Sequence, residues 1–173
     1  MKKVISVLLC AVLMLSLCSC QFVQDLADMT QNGTPVAKTF EKDGFSIELD
    51  SSFLTMDFIS EEYAFIWGNA HTTVMGLFVE YGDILPEGTA VETYAKAFRE
   101  TLEGVTPSEL RTEGGVFMLD YEGDAEDGGV MSILTSFHQA EDGIWIVMYS
   151  VPSDEYEERY ETLCGYAKSV KCE

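Results

Sequence analysis

The side chains of this chain that could do chemistry are few or scattered. His71 and His138 are its only histidines, so a multi-histidine zinc site is excluded and a mixed site needs carboxylates brought from a distance. His71 lies in the turn-like Asn69-Ala70-His71-Thr72 and His138 closes an apolar run; both read as structural, solvated or hydrogen-bonded histidines. There is no Gly-x-Ser-x-Gly elbow, no His-Glu-x-x-His pair and no glycine-rich phosphate loop. The acidic segment Asp120, Glu122, Asp124, Glu126 and Asp127 sets oxygen ligands at close spacing, a pattern that can hold calcium. A twelve-residue calcium loop begun at Asp120 needs glycine at its sixth position and a carboxylate at its twelfth, where Ala125 and Met131 stand. Alternating acids on a strand share one solvent face, so the segment reads as a solvated hairpin tip. Calcium held by Asp124, Glu126 and Asp127 is the alternative. Trp67 and Trp145 are pocket-lining candidates, with core packing the simpler role. No cofactor is expected.

Five cysteines divide between the two ends of the chain. Met1-Lys2-Lys3 is a basic start, Val4–Leu17 is apolar, and Leu17-Cys18-Ser19-Cys20 follows. As a helix the apolar run spans about 21 Å, short of a hydrocarbon core of about 30 Å, and the pattern is that of a secretory signal. Leucine at −3, serine at −1 and cysteine at +1 resemble the lipobox of bacterial lipoproteins. That resemblance implies a signal peptide over 1–19, a diacylglyceryl thioether on Cys20, and attachment to the extracytoplasmic face of the cell membrane. An ordinary secretory signal with a coincidental cysteine is the alternative. Cys164 and Cys172 are then the thiols left for the fold. On one helix their Cα atoms lie about 12 Å apart, beyond the roughly 7 Å a disulfide tolerates. A bridge needs the helix to end between them, near Gly165 or Ser169; otherwise Cys164 is a small buried hydrophobe. Neither sits in a nucleophile motif, and acidic surroundings disfavour a thiolate.

The chain carries ten basic and thirty acidic side chains. Loss of residues 1–19 takes Lys2 and Lys3 and no acid, moving the balance from −20 to about −22. Such a surface repels phosphate backbones, which excludes nucleic acid as a partner. It offers no basic patch to anionic lipid either, leaving the acyl chains to hold the protein to the membrane. With 47% hydrophobic and 12% aromatic residues the chain is folded rather than disordered.

Residues 20–38 read as anchor and spacer, with Thr30, Gln31, Asn32, Gly33, Thr34 and Pro35 as turn formers and a short helix suggested by Phe22, Val23, Leu26 and Met29. From Thr39 the pattern is strands. Thr39–Lys42 and Phe45–Leu49 flank Asp43-Gly44, the signature of a two-residue hairpin. Further strands are expected at Leu54–Ile59, Tyr63–Trp67, Thr73–Tyr81, Val116–Glu122, Val130–His138 and Ile144–Val151. Val91, Tyr94, Ala95, Phe98 and Leu102 form a helical stripe within Thr89–Glu103, with Thr89 and Glu92 at capping-box spacing. A second helix is expected over Ser153–Lys168, capped by Ser153, with Tyr156, Tyr160, Leu163, Cys164 and Ala167 inward. Trp145, Val147 and Tyr149 alternate with Ile144, Ile146 and Met148, so that strand is apolar on both faces and needs cover on both. A single antiparallel sheet between helices follows.

Phe40-Glu-Lys-Asp-Gly-Phe-Ser-Ile-Glu-Leu49, followed by Ser52-Phe53, resembles the opening of PsbP-like domains. Asp50 stands where proline is usual and Phe53 where tryptophan is common. The later order is similar too: a helix containing Tyr94-Ala95-Lys96-Ala97-Phe98, a hairpin region, and a terminal helix ending in a short strand around Ser169–Cys172. The resemblance covers about residues 38–172, making 39–173 the PsbP-like domain, and implies an α+β fold, an α/β/α sandwich around an antiparallel sheet. It supplies no active-site residues, because the fold serves photosynthetic assembly factors, binding proteins and bacterial lipoproteins alike. The expectation is a lipid-anchored, extracytoplasmic, non-enzymatic binding or accessory protein, with a protein or small-molecule ligand as partner. A hydrolase with a dispersed carboxylate/histidine site and a calcium-stabilised surface module are the alternatives.

Overall fold

The computed structural model describes residues 36–56, 62–82, 85–125 and 128–173. Cys20, the 1–19 segment and the spacer expected before residue 36 lie outside them, as do Glu126 and Asp127. Among the described residues the elements follow one another as β1 (Ala37–Lys42), β2 (Phe45–Asp50), β3 (Leu54–Thr55), β4 (Phe65–Gly68), β5 (Thr73–Glu80), α1 (Val91–Thr101), β6 (Arg111–Glu113), β7 (Val116–Asp124), β8 (Val130–Gln139), β9 (Gly143–Pro152), α2 (Tyr156–Ser169) and β10 (Lys171–Cys172).

The first hairpin forms as its turn dictates. Asp43 and Gly44 both adopt positive φ, 47° and 78°, which matches the twist of the strands they join. Phe45, Ile47 and Leu49 face inward, and Ser46 and Glu48 outward. This hairpin does not join the main sheet. With β10 it makes a separate antiparallel sheet, β1-β2-β10, beside a seven-stranded antiparallel sheet, β3-β4-β5-β9-β8-β7-β6. The single sheet expected from the sequence is therefore two. The reason is aromatic: Phe45 packs in tilted contact against Phe65 and Trp145 of the main sheet, ring centroids 4.8 and 4.9 Å apart. Such a layer is more stable than a lengthened edge.

The main sheet is covered on both faces, as the two-sided alternation of β9 requires. Face A, which carries Ile144, Ile146 and Met148, lies under α1 through Ala95, Phe98 and Leu102. Face B, which carries Trp145, Val147 and Tyr149, lies under α2 and the three-stranded sheet. Trp67 and Trp145 are core residues, as expected. The fold is α+β.

Two expected caps are not formed. Ala90 is the N-cap of α1, and Thr89 spends its hydroxyl on the Pro86 carbonyl at 2.6 Å. Glu155 is the N-cap of α2, and Ser153 instead bonds Ser132 at 2.9 Å, tying the helix approach to β8. Arg111–Glu113, with no alternation long enough to read, pairs with β7 across Gly114-Gly115 as the far edge strand.

Candidate functional site

Every strand-borne charge of the main sheet projects, by alternation, from face B, and three polar clusters gather there or at its rim. The deepest is built on β8. Ser136 Oγ lies 2.8 Å from His138 Nε2, and 3.5 Å from both the Val147 carbonyl and the Tyr149 hydroxyl. With Nε2 as acceptor the neutral ring carries its proton on Nδ1. Burial holds His138 in that neutral form, its pKa down at about 4. The serine–histidine distance is that of a nucleophile and its base. Yet Ser136 has no solvent exposure and His138 only 8%, so no substrate carbonyl reaches the hydroxyl as the domain stands.

Beside it, Cys164 is buried on α2 and Cys172 half-buried on β10, and both are free thiols. Burial raises the pKa of each, that of Cys172 to about 11. Both therefore remain thiols at neutral pH, the opposite of what a nucleophile needs. Cys164 is the small buried hydrophobe the sequence suggested.

The second cluster pins α2 to the sheet edge. Arg111 on β6 is ion-paired with Asp120 on β7, lies 3.4 Å from Glu113, and faces the Tyr160 ring at 5.4 Å. Glu113 accepts from the Tyr160 hydroxyl at 2.8 Å and meets Lys168 at 3.1 Å. The Tyr160 hydrogen bond, and then Lys168, hold the Glu113 carboxyl below its usual range. Burial alone would lower the pKa of Arg111; the bond and charge of Asp120 outweigh it and hold the guanidinium charged. The cations and carboxylates are mutually compensated, which is the economy of a clamp rather than of a reacting site.

The third cluster sits where β4, β5 and α2 meet. Asn69 Oδ1 accepts from the His71 and Thr72 amides, fixing the turn. His71 Nδ1 lies 3.0 Å from Glu155, which also receives Arg159. Arg159, and then His71, hold the Glu155 carboxyl low. All three side chains are at least partly solvated. His71 lies just before Thr73, which pairs with Ser150, whereas His138 pairs with Trp145. Five residues of strand β9, about 17 Å, separate these pairings, so the two histidines do not share a site.

The acidic segment splits. Asp120, expected on a solvated tip, is tied to Arg111 at the rim of α2, because alternation sets it on the same face as buried Met118. Glu122 and Asp124 are exposed, as expected. Among the described residues no group of three or more histidine, cysteine or acidic side chains is placed to hold a metal. The Arg111–Glu113–Tyr160–Lys168 network was not foreseen; its only sequence signal is a cation two residues from an acid on a strand, beside a tyrosine-rich helix.

No family model matches the chain, and no curated protein matches it in sequence. Among solved structures it is similar to the PsbP protein CyanoP of Synechocystis sp. PCC 6803, with a TM-score of 0.57 and 14% identity over 83% of this chain and 96% of that one. It is also similar to the Ran-binding protein Mog1p of Saccharomyces cerevisiae, TM-score 0.52, 10% identity, 80% and 96% covered. LpqN of Mycobacterium tuberculosis, involved in cell envelope biogenesis, matches at TM-score 0.49 and 12% identity over 84% and 95%. At these identities the likeness concerns architecture, and the chain has a PsbP-like fold.

Proposed function

We propose that this protein is a non-enzymatic binding or accessory module, anchored by lipid at Cys20 to the extracytoplasmic face of a cell membrane. One observation carries the non-enzymatic part: every cluster of reactive side chains on face B is closed or self-compensated. The Ser136–His138 pair is covered, both thiols are held protonated, and the charges around Arg111 and Glu155 are already paired. The fold is compatible with docking, since Mog1p, a protein of the same architecture, is a Ran-binding protein. Lipid attachment rests on the Leu17-Cys18-Ser19-Cys20 pattern. No helix among the described residues is long and apolar enough to cross a membrane.

Mass spectrometry of the protein from its native membranes is expected to find acylated Cys20 as the first residue; an unmodified mature terminus elsewhere overturns the anchor. Capture of partners from those membranes with the intact lipoprotein tests docking. The calcium alternative is tested by thermal melting. Specific stabilisation by millimolar calcium, absent with magnesium and abolished by Asp124→Asn with Glu126→Gln and Asp127→Asn, would replace this reading with a calcium-stabilised module. Turnover of ester or amide substrates that is lost in Ser136→Ala or His71→Gln would replace it with a hydrolase.

A further inference from the structure

Among the described residues the two sheets end in four strand edges, and three of these are short. β3 and β10 have two residues each and β6 has three. β1 is six residues long, pairs with β2 in unbroken register, and is exposed at every position except Phe40. A long, regular, exposed edge is a template for another strand, and shortness, a bulge or a proline blunts it. β1 has none of these. It carries Lys38 and Lys42 instead, a guard that turns away most strands but admits one bringing carboxylates.

Backbone direction fixes what the free edge offers. The Val36 carbonyl accepts from the Ser51 amide at 2.8 Å, and Lys42 and Phe45 flank the two-residue turn. The even-numbered residues of β1 therefore aim their N–H and C=O groups at β2. Ala37, Thr39 and Glu41 aim theirs outward, about 7 Å apart, and no described strand pairs with them there. In an added antiparallel strand the even positions become the non-hydrogen-bonded pairs, where facing side chains approach most closely. Lys38, Phe40 and Lys42 stand at those positions. Lys38 has no carboxylate partner among the described residues and rests over the Phe40 ring, 4.9 Å from its centroid. Lys42 meets only the adjacent, 73% exposed Asp43, a pair that holds it weakly. Apart from Lys171, the remaining cations of the described residues are each held by a carboxylate beyond their own neighbours.

We propose that the outer edge of β1 takes up an extended segment of a partner protein as an added antiparallel strand. Carboxylates of that segment face Lys38 and Lys42, an aliphatic side chain faces Phe40, and a cation faces Glu41. A second copy of this chain fits less well, because pairing about Phe40 or Glu41 brings like charges together; pairing about Thr39 is exposed by the test. The proposal rests on the binding-module reading, to which it adds a surface and a partner chemistry, and does not depend on the anchor. The probe is a fluorescent peptide with the core Glu-Lys-Val-Thr-Glu, titrated into the full chain in detergent micelles. The readouts are peptide anisotropy and amide hydrogen exchange of the protein. Binding is expected to slow exchange at Ala37, Thr39 and Glu41 and to leave Lys38, Phe40 and Lys42, already bonded to β2, unchanged. A peptide reversed to Lys-Glu-Val-Thr-Lys should bind about tenfold more weakly, since two attractive cross-strand pairs become repulsive. Lys38→Glu with Lys42→Glu should invert that preference. Thr39→Pro removes one outward N–H and no bond to β2, as an edge proline does, and should abolish binding. Circular dichroism checks that this variant folds; if it does not, methylation of the peptide amides that face β1 is read in the same way. No protection of the three outward amides at millimolar peptide overturns the proposal, as does binding indifferent to charge reversal or to Thr39→Pro. A dimer in analytical ultracentrifugation that itself protects these amides overturns it in favour of a second copy. Capture of partners from native membranes that Thr39→Pro does not diminish overturns this edge and leaves the binding-module reading standing.

Discussion

The two faces of the seven-stranded sheet solve the burial problem differently. Face B takes in Arg111, Asp120, Glu113 and His138 and gives each at least one polar partner, although the Arg111 Nε and one terminal guanidinium nitrogen, and the Tyr156 hydroxyl, are covered without a hydrogen bond. α2 contributes Tyr160 to Glu113 and Lys168 to the same carboxylate. The three-stranded sheet contributes Phe40, Phe45, Ile47 and Leu49 to an aromatic layer around Trp67 and Trp145. Face A is covered by α1 through Ala95, Phe98 and Leu102, which have nothing to offer a polar group. Among the described residues its strands project no charge; the covered Ser150 hydroxyl has no hydrogen-bond partner, and that of Thr135 faces only Tyr121. A buried polar group is tolerated according to what its cover can donate or accept, not according to depth.

The largest effects should separate the faces by packing. Phe45→Ala removes a 1% exposed ring from between Phe65 and Trp145, and should cost about 3–5 kcal/mol in urea denaturation. Met148→Ala on face A should cost about 2 kcal/mol, because solvent already touches the site and neighbouring methionines can fill part of the gap. Equal losses would show that face A is packed as rigidly as face B.

Next comes acid. Burial holds His138 at about 4 in the folded protein, against an ordinary 6.5. Between those values the unfolded chain binds a proton that the folded chain refuses. The stability His138 leaves intact above pH 6.5 is therefore lost as pH falls toward 4, up to about 3 kcal/mol. Glu113 and Glu155, held below their usual range, add their own losses at lower pH, below the ordinary carboxylate range. Comparing wild type with His138→Gln by denaturation at pH 7 and pH 4.5 isolates the histidine. A variant that loses as much stability as wild type would mean that His138 is not the buried base of face B.

The sequence displayed the elements far better than their partners. The Asp43-Gly44 turn, the two-sided alternation of β9 and the stripe through Ala95, Phe98 and Leu102 are local patterns, and the structure contains each. The departures are all matters of tertiary competition. Thr89 and Ser153 have cap chemistry, but their hydroxyls bond Pro86 O and Ser132 Oγ instead of the helix amides they were expected to serve. The β1–β2 hairpin alternates like a main-sheet strand pair, and only the aromatic layer decides that it stacks on the sheet rather than extending it. Asp120 belongs by composition to an acidic tip, and its pairing with Arg111 depends on β6, three residues long and without a readable period of its own. The candidate polar clusters were invisible for the same reason: Tyr160 meets Glu113 across 47 positions of sequence.

The smallest effect is also the most direct contrast, because it uses the same residue type on opposite faces. Ser136 and Ser150 are both fully buried, one in β8 and one in β9. Ser136→Ala removes the partner of His138 Nε2 and leaves a covered imidazole nitrogen unsatisfied, so it should destabilise by about 1–2 kcal/mol. Ser150→Ala removes a hydroxyl that already lacks a partner, so it should stabilise by about 1 kcal/mol, the desolvation cost no longer incurred. Opposite signs in equilibrium denaturation support the distinction between a hydroxyl with a partner and one without. A Ser150→Ala variant that loses stability to the same extent as Ser136→Ala would mean that the Ser150 hydroxyl is satisfied in solution, by a bridging water for example, and the asymmetry between the two serines would then reduce to packing alone.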